Sequence, residues 1–181
     1  EWIAADLLAQ AEHDTAAQSI LMTDDAAFAA AVEAAVVRQL KTLSRGNIAG
    51  ESWNVFGATI VLSSLEEAPP LADRIAAEHL EIATQDCEAL SMKIRNAGAI
   101  FLGGMTPEVI GDYVSGSNHV LPTARSARFS SGLGVLDYMK RTSLLKLDAG
   151  ALKALGPAAM TLARSEGLEG HRRSVEIRLE G

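Results

Sequence analysis

Four histidines, each with a carboxylate or carboxamide close by in sequence, are the side chains best suited to hold a metal or move a proton. The pairs are Gln10 with His13, Glu78 with His79, Asp112 with His119 and Glu166 with His171. On a helix Gln10 and His13 lie three apart and share a face, where an amide oxygen and an imidazole nitrogen can both reach one divalent ion. A solvated helix end carries the same two residue types. Glu78-His79 offers a general base steadied by its neighbouring carboxylate, or a plain surface pair. Gly111 to Pro122 packs Asp112, Tyr113, Asn118 and His119 between glycines and a proline. Loops of this make-up either hold binding groups on a rigid scaffold or form a structural turn. His171, beside Glu166, Arg172 and Arg173, stands where spacing alone suggests a frayed terminus. Cys87 lies between Asp86 and Glu88, which bring negative charge where a thiolate nucleophile needs positive, and it is not assigned a catalytic role. No Gly-x-Gly-x-x-Gly, P-loop, Cys-x-x-Cys or His-Glu-x-x-His pattern occurs.

The elements that must position these groups alternate. Trp2 to Glu12 reads as a helix on the spacing of Ile3, Leu7, Leu8 and Ala11, and Ser19 to Thr23 as a short strand. Asp24 is the expected cap of a second helix striped by Phe28, Val32, Val36, Leu40 and Leu43. Gly46 to Ser52 reads as a loop and Gly57 to Leu62 as a strand. A helix is expected from Pro69-Pro70 to about Glu78, since that pair fits only a helix start. Leu80 to Thr84 and Ala99 to Leu102 read as strands, Cys87 to Arg95 and Pro107 to Val114 as helices. This order favours an α/β layered fold with parallel strands joined by crossover helices. Beyond Ser115 the chain is loop-rich, and a domain boundary is expected near Leu133. From there it reads as mainly helical, with Leu152, Leu155 and Leu162 as core candidates and Gly156-Pro157 as a break. Ser174 to Glu180 fits both a strand alternation and a helical face, and helix is preferred.

With 181 residues, 48% of them hydrophobic, the chain can bury a real core. A net charge of −7 without any Lys/Arg block argues against nucleic-acid or anionic-membrane partners. No apolar run approaches the roughly 20 residues of a membrane span, and Glu1-Trp2-Ile3 lacks the basic flank of a signal peptide. A cytoplasmic address is expected, in keeping with the single cysteine. Opening on Glu1 instead of Met suggests a piece of a longer protein.

Six stretches, in order, resemble histidinol dehydrogenase: ADLLAQAEHD (Ala5 to Asp14), AAEHLEI (Ala76 to Ile82), RNAGAIFLG (Arg95 to Gly103), GDYVSGSNHVLPT (Gly111 to Thr123), RFSSGLGVLDYMKR (Arg128 to Arg141) and EGLEGHRRSV (Glu166 to Val175). The resemblance runs over the whole chain. It implies oxidation of L-histidinol to L-histidine with NAD, by way of L-histidinaldehyde. It further implies zinc bound by Gln10, His13, Asp112 and His171, with His171 reaching the site of the partner subunit in a tail-swapped homodimer. His79 then matches the general base and Glu78 the group that activates water. Gln10, His13, His79, Asp112, His119, Glu166 and His171 match residues around the substrate. The implied fold is a Rossmann-like parallel sheet with flanking helices over residues 1–133, followed by a small helical tail and dimerisation domain over 134–181. Family chains are more than twice this length, and the resemblance assigns NAD contacts to the part missing here, so this piece alone is expected not to turn over. Two other readings stay open: a non-catalytic zinc-binding dimerisation fragment that never meets NAD, and a zinc hydrolase in which Glu78 or His79 activates metal-bound water.

Overall fold

The computed structural model describes residues 1–180 and divides into two compact units, Glu1–Tyr138 and Met139–Gly181. In the first, helix α1 (Trp2–Ala11) buries Ala4, Leu8 and Ala11 on one face, as its spacing predicts. Strand β1 (Ile20–Thr23) leads into α2 (Ala26–Leu40). Leu8, Leu21, Val32 and Val36 form the centre of the core, and Ala35 and Ala49 let the helices approach closely. The cap of α2 is Asp25, not Asp24: its carboxylate accepts the N–H groups of Ala27 and Phe28 at 2.8 and 3.0 Å. Asp25 immediately precedes the first helical residue in extended conformation, the position from which a side chain reaches those orphan donors.

A larger correction concerns Gly46 to Ser52, which is not a loop but the first part of helix α3 (Gly46–Phe56). Its small residues serve packing. A Cβ on Gly46 would collide with the Leu40 carbonyl, and the fully buried Ser52 donates its hydroxyl to the Ala17 carbonyl at 2.9 Å. Strand β2 (Ala58–Val61) pairs parallel with β1, Ile20 facing Ala58 and Thr23 facing Val61. Helix α4 (Ala68–Ile75) takes Pro69 and Pro70 in its first turn but stops before Glu78, because Ala76 turns left-handed at φ 52° and ψ 57°.

Strand β3 (His79–Ile82), helix α5 (Cys87–Ser91) and strand β4 (Ala99–Leu102) complete a second parallel pair, His79 facing Ala99. Helix α5 ends well short of Arg95. Asp73 explains where the chain goes instead: its carboxylate accepts the N–H groups of Arg95 and Asn96 at 2.7 and 2.8 Å and ties them to α4. Helix α6 (Glu108–Tyr113) follows, with Pro107 at its N-cap. The strands therefore pair as two two-stranded parallel sheets within a mixed α/β unit.

The second unit is a hairpin of α7 (Ala149–Ser165) and α8 (Glu169–Glu180). Gly156-Pro157 lies inside α7 and does not break it. Proline forfeits one backbone donor there, while the bare Gly156 makes room for Val175 and Leu179 of α8. Leu155 and Leu162 are 59% and 65% exposed and are not core residues; the buried positions are Gly156 and Ala163. Ser174 to Glu180 is helical. No described helix is long and apolar enough to cross a membrane.

Candidate active site

His79 opens β3, one residue after Glu78, and its side chain is only 15% exposed. Its Nε2 lies 3.5 Å from Asp112 Oδ1 and 3.6 Å from Glu108 Oε1, at ion-pair range. Neither ring nitrogen makes a hydrogen bond, although both are buried. An unsatisfied buried imidazole is costly, and it persists where something else is meant to meet it. The ring lies tilted at 46° against Phe101 of β4, with centroids 6.0 Å apart.

Both carboxylates come from α6, where Glu108 and Asp112 are four apart and so share a face. Three local features seat that helix. Gly111 presses against the Phe101 ring so closely that a Cβ would collide with it. Glu81 of β3 accepts the Glu108 N–H at 3.0 Å, capping the free donors at the helix start. Ser117 donates its hydroxyl to the Gly111 carbonyl at 2.8 Å, turning the chain back after the helix. That turn returns His119 to Asp112, Nδ1 to Oδ2 at 2.7 Å. Asp112, 6% exposed, thus stands between two histidines, one buried and one largely open to solvent.

Burial pushes the Glu108 carboxyl up to about 7, helped by its hydrogen bond to Asp112 and by that residue's charge, and opposed by His13 and His119. Burial also works on Asp112. There, however, the hydrogen bonds from Glu108 and His119 and the charges of His79 and His119 prevail and hold the carboxyl below its ordinary value. Two acids on one helix face are driven apart in proton affinity, a pattern that suits acid–base chemistry. Ligand atoms of His79, Glu108 and Asp112 all fall within 4.8 Å of one another. Nitrogen and oxygen donors so grouped suit Zn²⁺ and, less selectively, other divalent ions.

Of the residues expected from sequence, His79, Asp112 and His119 come together. His13, just past the end of α1, is exposed but close enough for its charge to act on Glu108. Its backbone is pinned where Arg45 donates to the carbonyls of Glu12 and His13. Gln10 sits half-buried near the end of α1. Glu78 is gripped through its backbone, its carbonyl accepting the Ala99 N–H at 2.8 Å. Glu166 and His171 belong to the hairpin, where both are exposed and line a hollow of about 510 Å³ with Leu162 and Ser174. Gln10 and Glu78 make none of the contacts described around Asp112. Glu108 was not foreseen, though Glu-x-x-x-Asp straight after a proline is a legible i, i+4 signal.

The family model for histidinol dehydrogenase matches residues 1–179. Among curated relatives, the chain is 72% identical over 179 residues to the histidinol dehydrogenase of Brucella suis biovar 1 (strain 1330), covering 99% of this chain and 42% of the relative. It is 70% identical to that of Rhizobium meliloti (strain 1021), covering 99% and 41%. The crystal structure of histidinol dehydrogenase from Elizabethkingia anophelis superposes with a TM-score of 0.83 at 36% identity, over 99% of this chain and 41% of that one. The chain therefore spans about two fifths of the length of the proteins it matches.

Proposed function

Because the chain belongs to the histidinol dehydrogenase family, we propose that it carries the acid–base and metal-holding part of an NAD-dependent oxidation of L-histidinol to L-histidine through L-histidinaldehyde. The observation that carries this reading is His79: buried, unpartnered at both ring nitrogens, and facing the Asp112 carboxylate. A base of this kind can take the hydroxyl proton of an alcohol as the carbon loses hydride. Asp112 stabilises the imidazolium that forms. Glu78 helps water add to the aldehyde, and His79, once it has given up the first proton to solvent, takes one from the resulting hydrate. NAD, when bound, accepts the hydride in each oxidation, and no residue of this chain is assigned to it.

Zinc would be held by Gln10, His13, Asp112 and His171, a mixed nitrogen and oxygen set that suits the ion. The buried Asp112 carboxylate and the electrostatic reach of His13 into the same cluster support the fit. When bound, the metal fixes and orients the imidazole and amine of the substrate. His119 and Glu166 would contact the substrate. His171 would serve the site of a partner subunit in a tail-swapped homodimer, a role in keeping with its exposure on the hairpin. The same proposal takes residues 1–133 as part of a Rossmann-like domain, for which the parallel strand pairs and their crossover helices speak. Residues 134–181 would form the dimerisation tail, in a protein working in the cytoplasm.

His79→Asn tests the assignment in the intact protein. Turnover should fall by roughly 10²–10⁴-fold, the range for losing a general base, while bound zinc persists. Near-normal turnover would remove His79 as the base.

A further inference from the structure

The chain spends three unfavourable backbone conformations in one place. Ala76, Ala124 and Arg125 are the non-glycine residues with positive φ among those described, at 52°, 50° and 66°. Such conformations persist only when surrounding structure over-determines them, and they gather at functional sites. Ala76 ends α4 two residues before Glu78. Ala124 and Arg125 belong to the loop that continues from His119 through Pro122.

The two segments are fastened together by arginine. The last carbonyls of a helix have no partner within it, and here Arg125 supplies one. Its Nη2 donates to the Arg74 carbonyl at 2.8 Å and its Nε to the Ile75 carbonyl at 3.3 Å. Arg128, one 3-10 turn further on, donates to the same Arg74 carbonyl. A planar guanidinium can engage two carbonyls at once in a fixed direction, which an ammonium cannot.

The grip continues to the reacting residues. The Ala77 carbonyl accepts the Gly98 N–H at 2.9 Å, and the Glu78 carbonyl accepts that of Ala99 at 2.8 Å. A Cβ on Gly98 would lie 2.5 Å from the Glu78 oxygen and 3.1 Å from Pro122 Cδ, so Glu78, Gly98 and Pro122 form one close-packed junction. His119 lies three residues before that proline and His79 one residue after Glu78.

Resting on the function proposed above, we propose that Arg125 is a positioning residue: by docking its loop on the C-terminal end of α4 it sets His119 and the Glu78–His79 pair in register on either side of Asp112. It touches no reacting atom. It acts by fixing the distance between the base and the histidine that shares the base's carboxylate.

The test compares Arg125→Gly, Arg125→Ala and Arg125→Lys in the intact protein. Glycine suits φ 66° and removes the whole side chain without adding strain; alanine removes the guanidinium and keeps the strain; lysine keeps the stem and restores one donor. kcat should fall about tenfold or more in both the glycine and alanine variants with KM for NAD unchanged, and lysine should recover part of it. Thermal melting separates this from unfolding. A second readout does not need activity: the His79 and His119 ring resonances in ¹H–¹³C spectra of metal-free protein should shift in the glycine variant, with those of His171 unmoved. If the wild-type protein shows no dehydrogenase activity, the function reading fails while the spectra still test the clamp. Unchanged His79 and His119 resonances together with wild-type kcat, in a folded glycine variant, would overturn the proposal.

Discussion

Two regions of this molecule carry the residue types of one chemistry in opposite physical states. Around Asp112 the side chains are assembled and largely dry: Asp112, Glu108 and His79 are 6%, 15% and 15% exposed, with His79 within ion-pair range of both carboxylates. On the hairpin, Glu166 and His171 stand in solvent beside an open hollow. Charge is worth more where water is excluded, so the first region has shifted proton affinities built into its own unit. Arg172 on the hairpin, though itself only 16% exposed, pairs with Glu169 and Glu176 along its own helix, at the i, i+3 and i, i+4 spacings that any helix offers. Residue type alone does not make a site.

The sharpest way to break that contrast is to remove the centre of the assembled region. Asp112→Asn keeps the shape and deletes the charge that both histidines face. Oxidation should fall by roughly 10²–10⁴-fold, as when a base loses the group that orients it, and bound zinc should fall with it, unlike in His79→Asn. Zinc retained at one per chain in Asp112→Asn would detach this carboxylate from the metal.

The matching experiment on the hairpin is His171→Ala, read as zinc per chain in metal-free protein refilled with one equivalent. Loss of stoichiometric zinc is expected, with the fold of the first unit unchanged by circular dichroism. Zinc held as firmly as in wild type would mean that the exposed histidine is not a ligand, and that the tail-swapped site does not form.

How far these regions could be read in advance follows the same division between local and non-local causes. β4 and α1 were legible because each depends on its own apolar spacing, whereas the run from Leu80 to Thr84 marked β3 only in part, since the strand begins at His79 and ends at Ile82. The paired histidines were legible as chemistry, yet the His79–Asp112 and Asp112–His119 contacts come from a turn closed by Ser117 and a helix seated on Phe101, neither of which leaves a periodic trace. Helix α3 was hidden because packing against its neighbours selects Gly46 and Ser52, residues that locally favour loops. Gly156-Pro157 misled for a related reason: the glycine answers to α8 across the hairpin, and the surrounding helix absorbs the missing proline donor. The early end of α4 rests on arginines about fifty residues away.

Glycine substitutions sharpen the comparison at smaller scale. Gly111→Ala drives a methyl into the Phe101 ring, held between β4 and α6, and should destabilise the first unit by about 1–3 kcal/mol. Gly156→Ala meets the end of the Leu179 side chain at 2.9 Å, which can turn aside, and Val175 Cγ1 at 3.0 Å, which need give by only a few tenths of an ångström as the two helices adjust. The helix gain of alanine over glycine, up to about 1 kcal/mol, should then leave the hairpin near its original stability. Denaturant melts of both variants would decide the matter, and equal losses would mean that the hairpin is packed as tightly as the site.

The smallest effect expected is one of pH. Burial raises the Glu81 carboxyl to about 7, with the charges of Asp6 and Glu108 adding to it and the Glu108 N–H working against. In the unfolded chain the group returns to its ordinary value of 4.5. Between these two values the folded state binds more protons than the unfolded one, so stability should decline as pH rises from about 4.5 to about 7 and level off above. Glu81→Gln keeps a carbonyl to accept the Glu108 N–H but cannot ionise. Its melting temperature should therefore fall less steeply over that window than that of the wild type, with the two curves closest at the acid end. Parallel curves would mean that the pH response of this unit belongs to Glu108, the other carboxyl raised to about 7, and that the charge at the start of α6 is borne without cost.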